Sequence, residues 1–368
     1  MTRTYKFRLY PTKAQRRMML STLESCRVVY NTLLENRKTR WEQEKKPTSL
    51  YEQNKQTTEM RQSGLNVHSQ VLYDVARRID LAFNSFFRRV KSGGKPGFPR
   101  FKAKGRYNSF TYPQITNNQG RATATRLRIE NGRIQLPKIG PVKVRGARLV
   151  EGMVKNMSVK TSNEKWYVTI VSVNTIKKIP MSNMSVGIDV GLSQFATLSD
   201  GTKIANPRFF KQEEKALKKA QRKRKRKATA RIHERIVNKR HNFCHQESRR
   251  IVNEFGIIAF EDLTINNMIE NAPHKNRRKS INDVAWGMFL SQLAYKAEEA
   301  GRTTIAVNPA YTSQTCRKCG QRKQMPLSVR VFECACGEVV DRDLNAACNI
   351  LRLGLQSLSG NAHEALCN

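Results

Sequence analysis

Three short stretches constrain this chain more than anything else in it: GIDVGL around Asp189, FEDL around Glu261 and DRDLNAA around Asp343. Each sets a carboxylate where a strand or a helix is expected to end or begin. Asp189 sits in the apolar run VGIDV, expected to be a central strand. Glu261 ends the apolar run GIIAF, so its side chain can project beyond the sheet. Asp343 opens the last helical segment, where Asn345 and two alanines permit close packing on a sheet. Gly187 and Gly191 flank Asp189, and the reading from sequence is that they let a phosphate backbone approach. Taken singly, each acid has a plain structural explanation as a helix cap, a surface acid or a turn residue. Asp262 and Asp341 are near neighbours that could substitute as ligands. Together and in this order the three point to divalent cations. Hydrolysing a phosphodiester calls for charge relief at both the attacking and the leaving oxygen. Two hard cations ~3.5–4 Å apart supply that relief when carboxylate oxygens hold them.

The rest of the chain gives those acids their meaning, because acids are scarce. Among 368 residues, 68 are Lys or Arg and 29 are Asp or Glu, a formal charge of +39. So large an excess repels itself unless a polyanion neutralises it, and nucleic acid is the expected partner. The densest run is RKRKRK, Arg222, Lys223, Arg224, Lys225, Arg226 and Lys227, inside a stretch read as one long helix from about 209 to 254. Arg231, Arg235, Lys239 and Arg240 continue it, and Arg77 and Arg78 lie on the polar face of an earlier helix. These are the expected phosphate contacts, which give affinity without sequence choice. His233, His241 and His245 fall on the same basic stretch and read as phosphate or stacking contacts rather than metal ligands. No apolar run approaches the ~20 residues that span a bilayer, so no membrane role is expected. The N-terminus MTRTYKFRLYP lacks the apolar segment of a signal peptide. The expected location is the cytoplasm, associated with the nucleoid.

The hydrophobic pattern changes period along the chain. Tyr5, Phe7 and Leu9 alternate as one face of a short strand that Pro11 ends. Met19, Leu23, Cys26, Tyr30, Leu33 and Leu34 recur at helical steps, as do Leu72, Val75, Ile79, Ala82, Phe83 and Phe86 between about Ser69 and Val90. GGKPGFPRF closes this helical part. From about 107 to 178 the runs are short and strand-like, with Asn131-Gly132 as a hairpin turn, and they read as a small β-barrel or sandwich. After a linker at 179–184, strands come first and then alternate with helices, the order of an RNase H-like α/β core. Length and the 39% hydrophobic content allow two or three domains with real cores.

Cys316 and Cys319 form C-x-x-C, and after fourteen intervening residues Cys334 and Cys336 form C-x-C. Paired cysteines in an intracellular chain point to a structural Zn²⁺ site, since reduced thiolates suit that ion. The second pair is one residue shorter than the usual knuckle. Cys26, Cys244 and Cys367 have no partner at ligand spacing, and Cys348 reads as buried core.

Nearly the whole chain resembles the TnpB family, RNA-guided DNA endonucleases of small insertion sequences related to type V CRISPR effectors. The resemblance rests on YKFRLYPTKAQ, HSQVLYDVARRIDLAFNSFFRRVK, GKPGFPRFK, IQLPKIGPVKV, GIDVGLSQFATLSDG, ARIHERIVNKRHNFCH, FEDL, the YTSQTC-to-CG insert and DRDLNAACNI. It implies an α+β multidomain protein: a wedge β-barrel from 1–11 and 93–180, a helical recognition region at 12–92, and a RuvC-type nuclease core at 185–312 and 337–354. A zinc ribbon would fill 313–336, and 355–368 would be a tail. It also implies Asp189, Glu261 and Asp343 as the catalytic triad with two Mg²⁺ per site. The implied partners are a guide RNA from the element's end and double-stranded target DNA beside a short motif, and the expected particle is a monomeric ribonucleoprotein. A nuclease-inactive RNA-guided repressor and a strand-transferring transposase are the alternatives from sequence.

Overall fold

The computed structural model describes residues 2–114, 132–145, 150–173, 180, 182–326 and 329–366. The chain divides into two compact units, Met1–Thr175 and Ile176–Asn368.

In the first unit β1 (Thr2–Tyr10) alternates as the sequence indicates, with Phe7 and Leu9 buried and Tyr5 half-buried. Thr12 then starts α1 (Lys13–Glu44) with a capping box: its hydroxyl accepts from Gln15 N at 3.2 Å, and Gln15 Oε1 accepts from Thr12 N at 3.0 Å. Ser49 and Glu52 form a second box at the head of α2 (Leu50–Gln62). No apolar stripe announces α2, because the residues it buries are Gln53 and Thr57. α3 (Ser69–Lys91) turns Val71, Leu72, Val75, Ala76, Ile79 and Phe83 inward, while Ala82 and Phe86 are only half-buried.

Five strands join β1 in one antiparallel sheet: β2 (Ser109–Tyr112), β3 (Arg133–Leu136), β4 (Gly140–Arg145), β5 (Met153–Ser162) and β6 (Lys165–Val173). Their order is β2-β5-β6-β1-β4-β3. Asn131 of the expected turn lies outside the described residues; Gly132 has φ 67°. Among the described residues the sheet has β2 and β3 at its edges, with no ladder between them. It curls far enough for Tyr112 Oη, on one edge strand, to donate to Pro137 O beside the other at 3.0 Å. Met19 and Leu33 of α1, Val75 and Ile79 of α3, and Leu9, Phe110 and Ile134 of the sheet belong to one continuous core. Helices and sheet therefore share a single apolar interior.

Arg78 shows how α3 is fastened to that sheet. Its Nε meets Asp74 Oδ2 at 2.7 Å, Nη1 donates to Ser109 O at 2.8 Å, and Nη2 donates to Thr111 Oγ1 at 2.8 Å. The guanidinium expected to meet phosphate is thus spent on the fold, beside the exposed Arg77 that precedes it in the chain. Arg78→Met is expected to lower the unfolding free energy by about 2 kcal/mol, because it strands Asp74 and two sheet acceptors. Urea denaturation of the two proteins reads this directly.

The second unit opens with β7 (Ser185–Val190), β8 (Gln194–Leu198) and β9 (Lys203–Ala205), an antiparallel meander. Two helices follow, α4 (Phe209–Arg222) and α5 (Arg226–Glu254), then β10 (Ile257–Glu261), parallel to β7. After α6 (Ile265–Glu270), α7 (Lys275–Val284) and α8 (Trp286–Ala300), β11 (Thr303–Val307) adds parallel to β10. A small hairpin, β12 (Val331–Glu333) with β13 (Val339–Asp341), leads directly into α9 (Arg342–Leu366). The sheet order is β11-β10-β7-β8-β9.

One expectation is corrected here. The stretch 209–254 is not one helix: the basic run breaks it, with Arg224 at φ 47° between α4 and α5. The last helix runs to Leu366, so most of the segment read as a tail is helical. Among the described residues no helix is long and apolar enough to cross a membrane.

The sheet has two unlike faces, a consequence of its period of two. Val186, Ile188 and Ile258 join the large core with Phe289 and Leu293 of α8 and Ile251 of α5. Gly187, Ala259 and Ile305 are mutual partners across the three parallel strands and carry α9 on the other face. A Cβ on Gly187 would run into the Ala347 carbonyl and lie 2.7 Å from Leu351 N; one on Gly354 would lie 2.7 Å from Ala259 Cβ. Gly187 is therefore a seat for the last helix, and that, rather than the approach of a phosphate backbone, is what its missing side chain serves. Ala346 and Ala347 are buried at the same contact, as their small size suggests.

Candidate active site

Glu261 and Asp189 follow from that seat by simple counting. Phe260 pairs with Ile188 across β10 and β7, so the next residues, Glu261 and Asp189, share the face occupied by α9. β10 ends on Glu261, which is buried, and β7 carries Asp189 one residue before its end, partly buried. α9 begins on the same face, and Asp343 is its second residue. Two strand ends and one helix start thus bring the three acids together.

The neighbouring Asp341 has a different job. Its Oδ1 accepts from Asp343 N at 2.9 Å and Leu344 N at 3.2 Å, the work of a helix cap, and its Oδ2 meets Lys203 Nζ at 2.7 Å. These bonds and the lysine outweigh its partial burial and hold its carboxyl below the ordinary range. Asp343 is left out of the capping role; Arg330 Nη1 lies 3.6 Å from its Oδ1. Asp262 is exposed.

Asp189 is the acid on which the other two act. Burial pushes the Asp189 carboxyl well above its ordinary value, the charges of Glu261 and Asp343 push it further, and Arg342 opposes them. Glu261 is raised by burial and partly relieved by a hydrogen bond from Thr312 Oγ1 to its Oε1 at 2.7 Å. An acid cluster of this kind is costly without a cation, and its oxygen donors suit a hard divalent ion. Sequence reasoning missed Thr312 and Arg342. Arg342 is buried, donating to Pro326 O at 2.8 Å and Ser313 Oγ at 3.2 Å; the DRD spelling alone gives no sign of it.

The four thiols gather as expected. Cys316 Sγ lies 3.7 Å from Cys336 Sγ, Cys319 Sγ lies 3.5 Å from Cys334 Sγ, and all four fall within 4.8 Å of one another. Among the described residues no other group of three or more potential ligands is so tight; the carboxylates are set wider. A tetrahedral ion ~2.3 Å from each sulfur requires sulfurs ~3.8 Å apart, whereas a disulfide would need ~2.05 Å. The four residues fit a thiolate-bound ion. Each knuckle closes on a glycine of positive φ, Gly320 at 78° after Cys319 and Gly337 at 84° after Cys336. Gly320 N donates to Cys316 O and Gly337 N to Cys334 O, each at 3.0 Å, so the C-x-C knuckle closes one residue shorter than the C-x-x-C one. Burial raises the Cys316 thiol, but the amides of Cys319 and Lys318 outweigh it and bring it down to about 7. Cys26 and Cys244 are buried and unpaired, and Cys348 is half-buried. The hairpin of β12 and β13 that follows the thiols runs to Asp341, the cap of α9.

The chain is 33% identical to InsQ of Escherichia coli (strain K12), named as an RNA-guided DNA endonuclease, over 95% of this chain and 92% of that one. The chain belongs to the TnpB family. A Streptomyces pristinaespiralis protein also named as an RNA-guided DNA endonuclease is 31% identical over 96% of this chain and 89% of that protein. Three family models match: OrfB_IS605, described as "Probable transposase", at 167–272; a Cas12f1-like TNB domain at 286–350; and a helix-turn-helix domain at 1–46. Among solved structures, CasPhi-2 (Cas12j) bound to crRNA aligns over 96% of this chain and 98% of that one, at TM-score 0.46 and 10% identity.

The basic residues of this TnpB protein fall into two groups. Arg222, Lys223, Arg224, Lys225, Arg226 and Lys227 form the exposed tip of the α4–α5 hairpin, and Arg231 is exposed on α5. The hairpin has a small core of its own, Leu217, Ala220, Ile232 and Ile236. Arg235 and Lys239 instead pair with Glu213 at 3.0 and 3.3 Å, and Arg240 pairs with Asp283 at 2.7 Å. Those three fasten α5 to α4 and to α7. His233, His241 and His245 are exposed.

Proposed function

We propose that this chain is an RNA-guided DNA endonuclease that cuts double-stranded DNA by phosphodiester hydrolysis in its second unit. The observation that carries the reading is the convergence of Asp189, Glu261 and Asp343 on one face of the sheet, next to the start of α9. The sheet order, three antiparallel strands followed by two parallel ones added beside the first, supports reading this unit as an RNase H-like, RuvC-type core. Asp189, Glu261 and Asp343 would hold two Mg²⁺, which when bound supply charge relief at the attacking and leaving oxygens. The residues themselves do the holding and aiming. Asp189 feels both other acids and is the shared member of the set. Thr312 orients Glu261, and Asp341 keeps the first turn of α9 formed while leaving Asp343 free of capping. Cys316, Cys319, Cys334 and Cys336 would hold a structural Zn²⁺, which when bound would tie together the hairpin that leads into α9.

A guide RNA supplies sequence choice through base pairing, so the protein needs only to hold polyanions by shape and charge. The hairpin tip from Arg222 to Lys227, with Arg231 and Arg77, suits that role. Helical segment 12–92 and wedge segments 1–11 and 93–180 would serve recognition of the RNA and of the DNA beside the target, in a monomeric, cytoplasmic, nucleoid-associated ribonucleoprotein.

Co-expression with the RNA from the element's end tests the proposal. A discrete RNA should copurify, and the particle should linearise a plasmid bearing the matching sequence only when Mg²⁺ is supplied. Guide-dependent binding without cutting would place the chain among repressors instead.

The metal-free carboxylates give a further expectation. Asp189 and Glu261 have folded-state values raised above the unfolded ones, so they favour the fold at low pH and lose that contribution as pH rises through their titration. A divalent ion reverses the penalty. The rise in melting temperature on adding Mg²⁺ should be larger at pH 8 than at pH 5, by scanning fluorimetry of the purified protein.

A further inference from the structure

The cysteine cluster and the carboxylates are joined by a continuous chain of buried and partly buried hydrogen bonds. Asn345 and Asn349, four residues apart on α9, face the loop that leads into Cys316, and both are essentially inaccessible to solvent. Asn345 Oδ1 accepts from Arg317 N at 3.0 Å, and its Nδ2 donates to Thr315 O at 2.7 Å. Asn349 Nδ2 donates to Thr315 O at 2.6 Å and to Thr312 O at 2.9 Å. Thr312, itself buried, passes the connection on through its hydroxyl to Glu261 Oε1 at 2.7 Å.

Asn349 makes the purpose of this arrangement plain. Its Oδ1 is buried and has no hydrogen-bond partner. A buried, unpaired carbonyl is unfavourable, and rotating the amide would only set that oxygen against two other carbonyls. The residue is placed for its two donors, and both go to the 312–315 loop. Glu261 has three side-chain torsions, and a single hydroxyl bond to Oε1 fixes its carboxylate while leaving Oε2 uncommitted.

We propose that Thr312 is a positioning residue for the Glu261 carboxylate, and that Asn349 acts through it by fixing where its main chain stands. The inference rests on the reading that Glu261 holds a divalent cation. It makes the 312–317 loop a rigid link: the thiolate ribbon is connected to the metal-binding carboxylates and does more than decorate the fold. A hydroxyl bonded to a metal-holding carboxylate typically alters metal affinity by about 10–100-fold when removed.

The test uses the guide-loaded protein and three variants, Thr312→Val, Thr312→Ser and Asn349→Ala, together with the double variant of Val at 312 and Ala at 349. Two readouts are taken: Mn²⁺ binding, followed by the paramagnetic resonance of the free ion, and the Mg²⁺ concentration at half-maximal cleavage. Zinc content and melting temperature are measured alongside. Thr312→Val should weaken Mn²⁺ binding and raise the Mg²⁺ midpoint about tenfold, with zinc content unchanged. Thr312→Ser should recover most of that loss. Asn349→Ala should shift the midpoint in the same direction, and the double variant should be no worse than Thr312→Val, because one residue acts through the other. Unchanged Mn²⁺ affinity in Thr312→Val, or additive effects in the double variant, would overturn the proposal and leave the network a stability device. Should Glu261→Gln itself cut and bind Mn²⁺ like wild type, the carboxylate reading fails and this inference goes with it.

Discussion

Asp189→Ala should abolish guide-directed cutting of a matched plasmid, by about 10³-fold or more, while the particle still binds its RNA and its target. Of the three acids it is the one most affected by the others: burial, Glu261 and Asp343 all raise it. Removing it takes away a charge on the strand β7, between the neighbouring strand that carries Glu261 and the helix that carries Asp343. Alanine also relieves the clustering of negative charge, so the folded protein should melt at the wild-type temperature or above it when Mg²⁺ is absent. The pairing of lost cutting with retained stability separates a chemical role from a structural one. Cleavage assays and fluorimetry on the same preparation decide it, and an Asp189→Ala protein that still linearises plasmid would end the carboxylate reading.

The second large effect is expected at a residue with no side chain. Gly187→Ala should lower the stability of the second unit by about 3 kcal/mol or more, a fall in melting temperature on the order of 10 °C. The added methyl meets the Ala347 carbonyl and Leu351 N, both backbone atoms, so no change of rotamer can make room. Only a shift of α9 off the sheet relieves the clash, and α9 carries Asp343. Cutting should therefore fall together with stability, and raising Mg²⁺ should restore part of it by drawing the carboxylate back. Gly201→Ala is the contrasting case: Gly201 has open space around it, and its φ of 91° makes the substitution a local backbone matter at the turn between β8 and β9. A Gly187→Ala protein as stable as wild type would mean that α9 does not sit where the structure has it.

Particular elements show why some of this was legible and some was not. The α1 and α3 helices bury Leu, Val, Ile and Phe at helical steps, so periodicity reports them. α2 buries Gln53 and Thr57, and hydrophobic period has nothing to say about it, although its Ser49–Glu52 capping box is written in the residues. The basic stretch reads as a continuous helix because Lys and Arg favour helices wherever they stand. Its break at Arg224 comes from the packing of α4 against α5 through Leu217, Ala220, Ile232 and Ile236, a tertiary demand. Charge counting likewise treats every Arg alike. Arg78, Arg235, Lys239 and Arg240 are held by acids of the same chain, and only coordinates separate them from the exposed cations of the hairpin tip.

By itself the sequence determined the kinds of group available: three acids at the ends of apolar runs, four thiols at ligand spacing, and a charge that requires a polyanion. Those are local properties, set by which residues stand next to one another, and they survive in any fold. Only the tertiary structure decided which acid caps a helix and which is left out of the cap, because Asp341 and Asp343 differ by what their backbone neighbours donate and by Lys203, distant in sequence. It also decided that Gly187 serves a helix rather than a phosphate, and that Thr312 reaches Glu261. Hydrogen bonds and close approaches act over about 3 Å, and residues 51 positions apart, as Thr312 and Glu261 are, come within that range only when the sheet, the ribbon loop and the last helix have all been built.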